Sequence, residues 1–203
     1  MESFELLAHP FWVNFFILTP VIIFFLWYKT GLQISRNILL ASAVFGVAMG
    51  YWEAATVVYL RSTGSMLAAA KDFGQMFLDK LNVLPLRQYD PTLALMANPE
   101  LLFRLEVMRE IATIILLLVV AFISAGQWRE RFAIFLWTFA IWDIVYYLGL
   151  FLATGWPQSL TVADVLFLIP VPWVSQVWFP ILVSGLTVTV ILFLSWRRSE
   201  ERP

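Results

Sequence analysis

Apolar residues run through this chain in long blocks, and the blocks have membrane length. A helix needs about 20 mostly apolar residues to cross a bilayer. Five stretches meet that requirement, at residues 11–28, 37–60, 105–125, 132–153 and 173–196. The expected architecture is an all-α bundle of five transmembrane helices in a single integral membrane domain, residues 1–203. The outer loop, residues 62–104, is the one long connection.

That loop has its own pattern. Met66, Ala70, Phe73, Phe77, Leu81 and Leu84 recur at a spacing of three to four, with Lys71, Asp72, Gln75, Asp79 and Lys80 elsewhere around the helix. Too charged to span, residues 64–84 predict an interfacial amphipathic helix lying on the outer face. Pro85, Pro91 and Pro99 then punctuate a loop, and Asn98-Pro99-Glu100 is a helix start with Asn as N-cap and Pro at the first position. The charge-free stretch 111–125 is too short to cross alone. The third helix therefore brings its charged turn, Glu106–Glu110, into the outer part of the bilayer.

The apolar run 165–196 is too long for one span, and Pro170 and Pro172 interrupt it. Thr161-Val-Ala-Asp164 has the form of an acidic capping box. A short broken or re-entrant helix is expected from Thr161, followed by a break at the prolines and a last span bent at Pro180. On this reading Asp164 caps a helix. Backbone that is not helical at such depth must be covered by protein or line a cavity.

Lys and Arg set the orientation. Lys29 and Arg36, then Arg129 and Arg131, then Arg197, Arg198 and Arg202 flank one side, whereas the N-terminal segment and the loop 154–172 carry none. The positive-inside rule predicts N-out, C-in. The acidic start, Met1-Glu-Ser-Phe-Glu5, lacks the basic region of a signal peptide, so the first block is expected to be retained. Trp12, Trp27, Tyr28, Tyr59, Trp128, Trp156, Trp173 and Trp196 fall near the expected interfaces, as aromatic belts do.

Composition agrees with the pattern. The chain has 203 residues, of which 61% are hydrophobic and only 13% charged, and its mean hydropathy is +0.82. Soluble domains are nearer about 45–50% apolar and 25% charged. With a net charge of -1, no nucleic-acid partner is expected. Membrane lipid is the expected partner, with other membrane subunits as an alternative. The absence of cysteine excludes disulfides, thiolate metal sites and iron–sulfur ligation.

Against this apolar background, Glu53, Glu106, Arg109, Glu110 and Asp143 all lie inside membrane-length stretches. An ionised group at that depth costs roughly 2.5–3.5 kcal/mol on insertion scales, so such residues mark a functional site by default. Glu106, Arg109, Glu110 and Thr113 share one face of the third helix. Asp143, Tyr146 and Tyr147 do the same on the fourth. Gly46 and Gly50 form a small-residue ridge that admits a close neighbour, and Glu53 continues it. In the expected topology Glu53 lies roughly 12 Å below the outer end of its helix, at the depth of the other polar groups. One cluster is expected, with Arg61, Arg104 and Asp164 at its rim.

Four acids facing one base would stay net negative if all were ionised. Protonation of some carboxyls, a bound cation or water in the site would relieve this. The alternative is a purely structural network, with Arg109 bridging Glu106 and Glu110 while Glu53 and Asp143 bond to tyrosine hydroxyls or to each other. Haem is not expected, because His9 is the sole histidine and lies near the N-terminus. No nucleotide fingerprint or phosphate loop is present, and no other cofactor is indicated. Of the metals, the all-oxygen donor set would suit a hard divalent cation such as Mg²⁺, Ca²⁺ or Mn²⁺.

At Glu106-Val-Met-Arg-Glu110, Trp142-Asp-Ile-Val-Tyr-Tyr147, Gly155-Trp-Pro-Gln-Ser-Leu160 and Asp164-Val-Leu-Phe-Leu-Ile-Pro-Val-Pro-Trp173, the chain resembles an uncharacterised group of bacterial polytopic membrane proteins with no assigned activity. The resemblance implies a bacterial cytoplasmic (inner) membrane and no particular chemistry. Three functions stay open. The first is an outward-facing site that binds or relays protons, a cation or a small polar ligand. There Glu53 and Asp143 would be acceptors, Arg109 the positioning charge, Glu106 and Glu110 the mouth, and Tyr146 and Tyr147 donors. The second is a non-catalytic subunit of a larger membrane complex. The third is a membrane enzyme using the carboxylates, with a hard metal or as acid and base, on a lipid-derived substrate.

Overall fold

The computed structural model describes residues 6–81 and 99–200, with side chains described for 6–59 and 103–197. A 3-10 helix, Phe11–Ile17, runs directly into α1, Leu18–Trp27. Then come α2 (Arg36–Leu81), α3 (Pro99–Ser124) and α4 (Trp128–Thr154), strands β1 (Ala163–Phe167) and β2 (Trp173–Gln176), and α5 (Trp178–Glu200).

Four of these helices are long and apolar enough to cross a membrane, over Arg36–Tyr59, Phe103–Ser124, Trp128–Thr154 and Trp178–Arg197. They are consistent with an integral membrane protein. The stretch Phe11–Trp27 is apolar but shorter. Its 3-10 opening rises about 2.0 Å per residue against 1.5 Å for an α-helix, so the 17 residues reach about 29 Å. The perimeter of the bundle is oily: Phe25, Val44, Ile123 and Leu152 are each at least 70% exposed, a surface suited to lipid rather than water.

α4 is the most buried span and the hub, packing against α2, α3 and α5, while α1 lies on α5. The α2–α4 contact is as close as the glycine ridge predicts. A Cβ on Gly50 would lie 2.6 Å from the Trp142 carbonyl oxygen, and one on Gly46 would lie 3.0 Å from that of Thr138. Gly149 of α4 faces the Ala54 side chain in return. α4 ends at Gly155, whose φ of +72 is left-handed and whose N–H donates to Phe151 O at 2.8 Å.

Two expectations are corrected. Residues 64–81 do not form a separate helix; they continue α2 without a break, since no proline interrupts 36–81. Their side chains, and the proline loop at 82–98, lie outside the described residues. α3 does begin at Pro99, as the Asn98-Pro99-Glu100 start implies.

The second correction concerns Thr161 onward, which is not helical. β1 and β2 form an antiparallel hairpin, with Asp164 opposite Ser175 and Phe167 opposite Trp173. Val165, Phe167, Trp173 and Val174 are β-branched or aromatic, and Pro170 and Pro172 occupy the turn, which suits a hairpin better than a helix. His9 exchanges both backbone hydrogen bonds with Val174, at 2.8 and 2.7 Å, and so extends the sheet. Pro180 falls in the first turn of α5, where its missing N–H costs nothing.

The two ends of the bundle are filled differently. At the end bearing Lys29, Arg36 and Arg129, a core of Ile23, Leu32, Leu39, Ile134, Trp137 and Ile191 packs tightly. The Trp137 indole donates to Leu39 O at 3.1 Å there. Toward the hairpin the bundle is hollow.

Candidate functional site: an acid-rich cavity under the hairpin

The hollow is a cavity of about 750 Å³. Glu53 reaches it from α2, and Glu106, Arg109 and Glu110 from α3. Asp143, Tyr146 and Tyr147 reach it from α4, and Asp164 from β1. Polar residues of separate helices thus line one space. Asp164 joins them, so that among the described residues five carboxylates surround one guanidinium.

Arg109 ties α3 to α2. It forms an ion pair with Glu53 and donates twice to Glu106 Oε2, at 2.9 and 2.7 Å. The Thr113 hydroxyl, one turn further along the same face, donates to Glu53 Oε2 at 3.0 Å. Glu53 is only 4% exposed, so its charge is compensated by protein rather than solvent. The anticipated Arg109 bridge between Glu106 and Glu110 is therefore replaced by one between Glu106 and Glu53. Glu110 turns toward the hairpin instead and accepts the Leu168 N–H with both oxygens, at 3.1 and 3.0 Å.

Asp143 and Tyr147 also find partners other than those expected. The Ser184 hydroxyl of α5 donates to Asp143 Oδ2 at 2.7 Å, and the Tyr147 hydroxyl donates to Asp164 Oδ2 at 3.0 Å. Asp164 is thus no helix cap; it sits in β1, 8% exposed, and fastens the hairpin to α4. Tyr146 lines the cavity with its ring against Tyr147, 5.2 Å between centroids.

Among the acids, Glu106 is the open one, with its side chain 29% exposed, which suits the mouth. Glu110, 8% exposed, does not share that position; it lies beneath the hairpin. Of the remaining rim residues, Arg104 is exposed and outside the cavity lining, and the Arg61 side chain is outside the described residues.

Sequence reasoning passed over Ser184 and Thr187, which line the cavity from α5. The available signal was two small hydroxyl residues at i and i+3, on one face of a mostly apolar span. It also passed over the hairpin as a wall, because strand pairing was not foreseen.

Apart from Thr19, the rest of the lining is apolar and aromatic, including Phe16, Phe139, Phe167 and Trp173. Among the described residues, no group of three His, Cys, Asp or Glu side chains could hold a metal ion. Arg109 engages both Glu53 and Glu106, and Glu110, Asp143 and Asp164 are engaged by Leu168 N–H, Ser184 and Tyr147. The fold is a helical bundle consistent with an integral membrane protein, and it holds an acid-rich cavity. Compared with known protein families, characterised proteins and solved structures, the chain matches none.

Proposed function

We propose that this protein is a multi-pass component of a bacterial cytoplasmic membrane, oriented N-out and C-in. Its buried carboxylate–arginine–tyrosine site binds or relays protons, a cation or a small polar ligand. The observation that carries this reading is the convergence of Glu53, Glu106, Arg109, Glu110, Asp143 and Asp164, from four elements, on one cavity. Buried acids that served only as helix glue would not need a hollow beside them. Here they share a space large enough for a ligand, within the roughly 300–1,000 Å³ typical of binding sites.

The roles follow the geometry. Arg109 holds Glu53 and Glu106 in place. Asp143, held by one hydroxyl, is the acceptor with the least compensation. Glu110 and Asp164 secure the hairpin above them.

The test is reconstitution into liposomes containing a pH-sensitive dye, with cation binding measured in parallel. Wild type is expected to move protons or bind a cation or polar solute, while Glu53→Gln and Asp143→Asn fold and lose that activity. If both variants unfold the bundle and wild type does neither, the cluster is structural.

A second reading is a non-catalytic subunit of a membrane complex. It is favoured by α3, the least buried span, with only 22% of its apolar window inside the structure. Purification of a stable monomer that retains the cavity's binding activity would remove it.

A further inference from the structure

We propose that Asp143 receives the head of an amphiphilic primary ammonium, whose apolar body lies along the cavity walls. This rests on the site reading above and names its ligand.

Asp143 lines the cavity from α4 and is 9% exposed. Its Oδ2 accepts from the Ser184 hydroxyl. Oδ1 has no hydrogen-bond partner among the described residues, and unlike the Trp142 indole nitrogen it is not sealed by packing. A carboxylate that is nine-tenths buried thus keeps one oxygen open toward the hollow. A carboxylate can only accept, so the missing partner is a donor.

The hydroxyls around it make the same demand. Ser184 spends its hydrogen on Asp143, Thr187 on Val183 O at 2.7 Å, and Tyr147 on Asp164. All three residues line the cavity, and each oxygen has only acceptor capacity left. The Thr19 hydroxyl of α1 can accept as well. Arg109, the guanidinium of the site, already engages Glu53 and Glu106. A primary ammonium is the complement of such a surface, with three donors and no acceptor.

Charge and size narrow the class further. Among the described residues five carboxylates line the cavity against one guanidinium, which favours a cation. A metal ion would fill little of about 750 Å³. The other walls, among them Ile111, Ile114, Leu136, Phe139 and Val183, are apolar and gain by covering an apolar body. A phosphate beside the ammonium, as in a phospholipid head, would set another negative charge among these acids and is disfavoured.

The experiment is calorimetric titration of the full chain, purified in a maltoside detergent at neutral pH, with decylammonium as the probe. Heats of dilution into detergent alone are subtracted. Decyltrimethylammonium offers the charge without N–H donors, decanol a donor without charge, and Na⁺ the charge without a body. Saturable binding of decylammonium is expected, at least about tenfold tighter than that of the other three. Asp143→Asn should weaken it about ten- to hundredfold, the worth of one buried charge-assisted hydrogen bond. The head-group series on the wild type gives its own answer even where that variant fails to fold. No saturable decylammonium binding, equal binding of decanol or decyltrimethylammonium, or unchanged affinity in folded Asp143→Asn overturns the inference. If Na⁺ binds instead or the liposome test is positive without decylammonium binding, the ligand class falls while the site reading stands. If no titrant binds and the liposome test is also negative, both fall.

Discussion

The two ends of this bundle are made from the same helices, yet one is solid and the other hollow. At the basic end α1, α4 and α5 interdigitate, with Leu32, Ile134, Ile191 and Leu194 at most 1% exposed. At the hairpin end α4 carries Asp143, Tyr146 and Tyr147 instead of aliphatic side chains. There α3 meets α2 through the Glu53–Arg109 pair across a space that packing does not fill. Packing density that holds a membrane bundle together can be concentrated at one end, which leaves the other free to keep polar groups and room for a ligand. Buried ion pairs are a weak source of stability, because desolvation offsets their attraction. The solid end is therefore where the fold's stability resides.

That contrast can be broken by mutation. The largest effect is expected from Arg109→Met, which leaves Glu53 buried without its counter-charge. Removing one partner of such a pair costs about 3–5 kcal/mol, read as a lower midpoint in denaturant unfolding from detergent micelles. Ile134→Ala at the solid end should cost about 2–4 kcal/mol through the void it leaves. Ile114→Ala on the cavity wall should cost less than half as much, because it only enlarges a space already present. Equal costs at the two positions would mean that the ends do not differ in packing.

Gly50→Ala comes next, at about 1–3 kcal/mol, since its Cβ must displace α2 from the Trp142 carbonyl. The smallest global effect belongs to Glu110→Gln, which keeps one oxygen for the Leu168 N–H. Its unfolding midpoint should move little, while hydrogen exchange at the Leu168 amide quickens. An unchanged exchange rate would show that Glu110 does not hold the hairpin.

Much of the solid end was legible in the sequence. Long apolar blocks locate helices by length alone, and Gly46 with Gly50 announces a close helix contact that α4 supplies. The convergence of the acids was also readable, from depth and helix face. What could not be read was pairing. Arg109 has three acids within reach of its helix face, and only the packing of α2 and α3 decides for Glu53 and Glu106.

The hairpin escaped for a different reason. A short apolar run between prolines fits a buried strand or a helix equally by periodicity, and Thr161-Val-Ala-Asp164 resembles a cap. The strand wins because β1 can pair with β2, and β2 with the distant His9, which no local pattern reveals.

The account stands on Glu53 and Arg109 meeting inside the hollow from two separate helices. A double-mutant cycle of Glu53→Gln and Arg109→Met, read by unfolding free energy, measures that meeting directly. The two changes should be strongly non-additive, with a coupling of about 2 kcal/mol or more, whereas additivity within about 0.5 kcal/mol would place the two side chains apart and contradict a shared cavity.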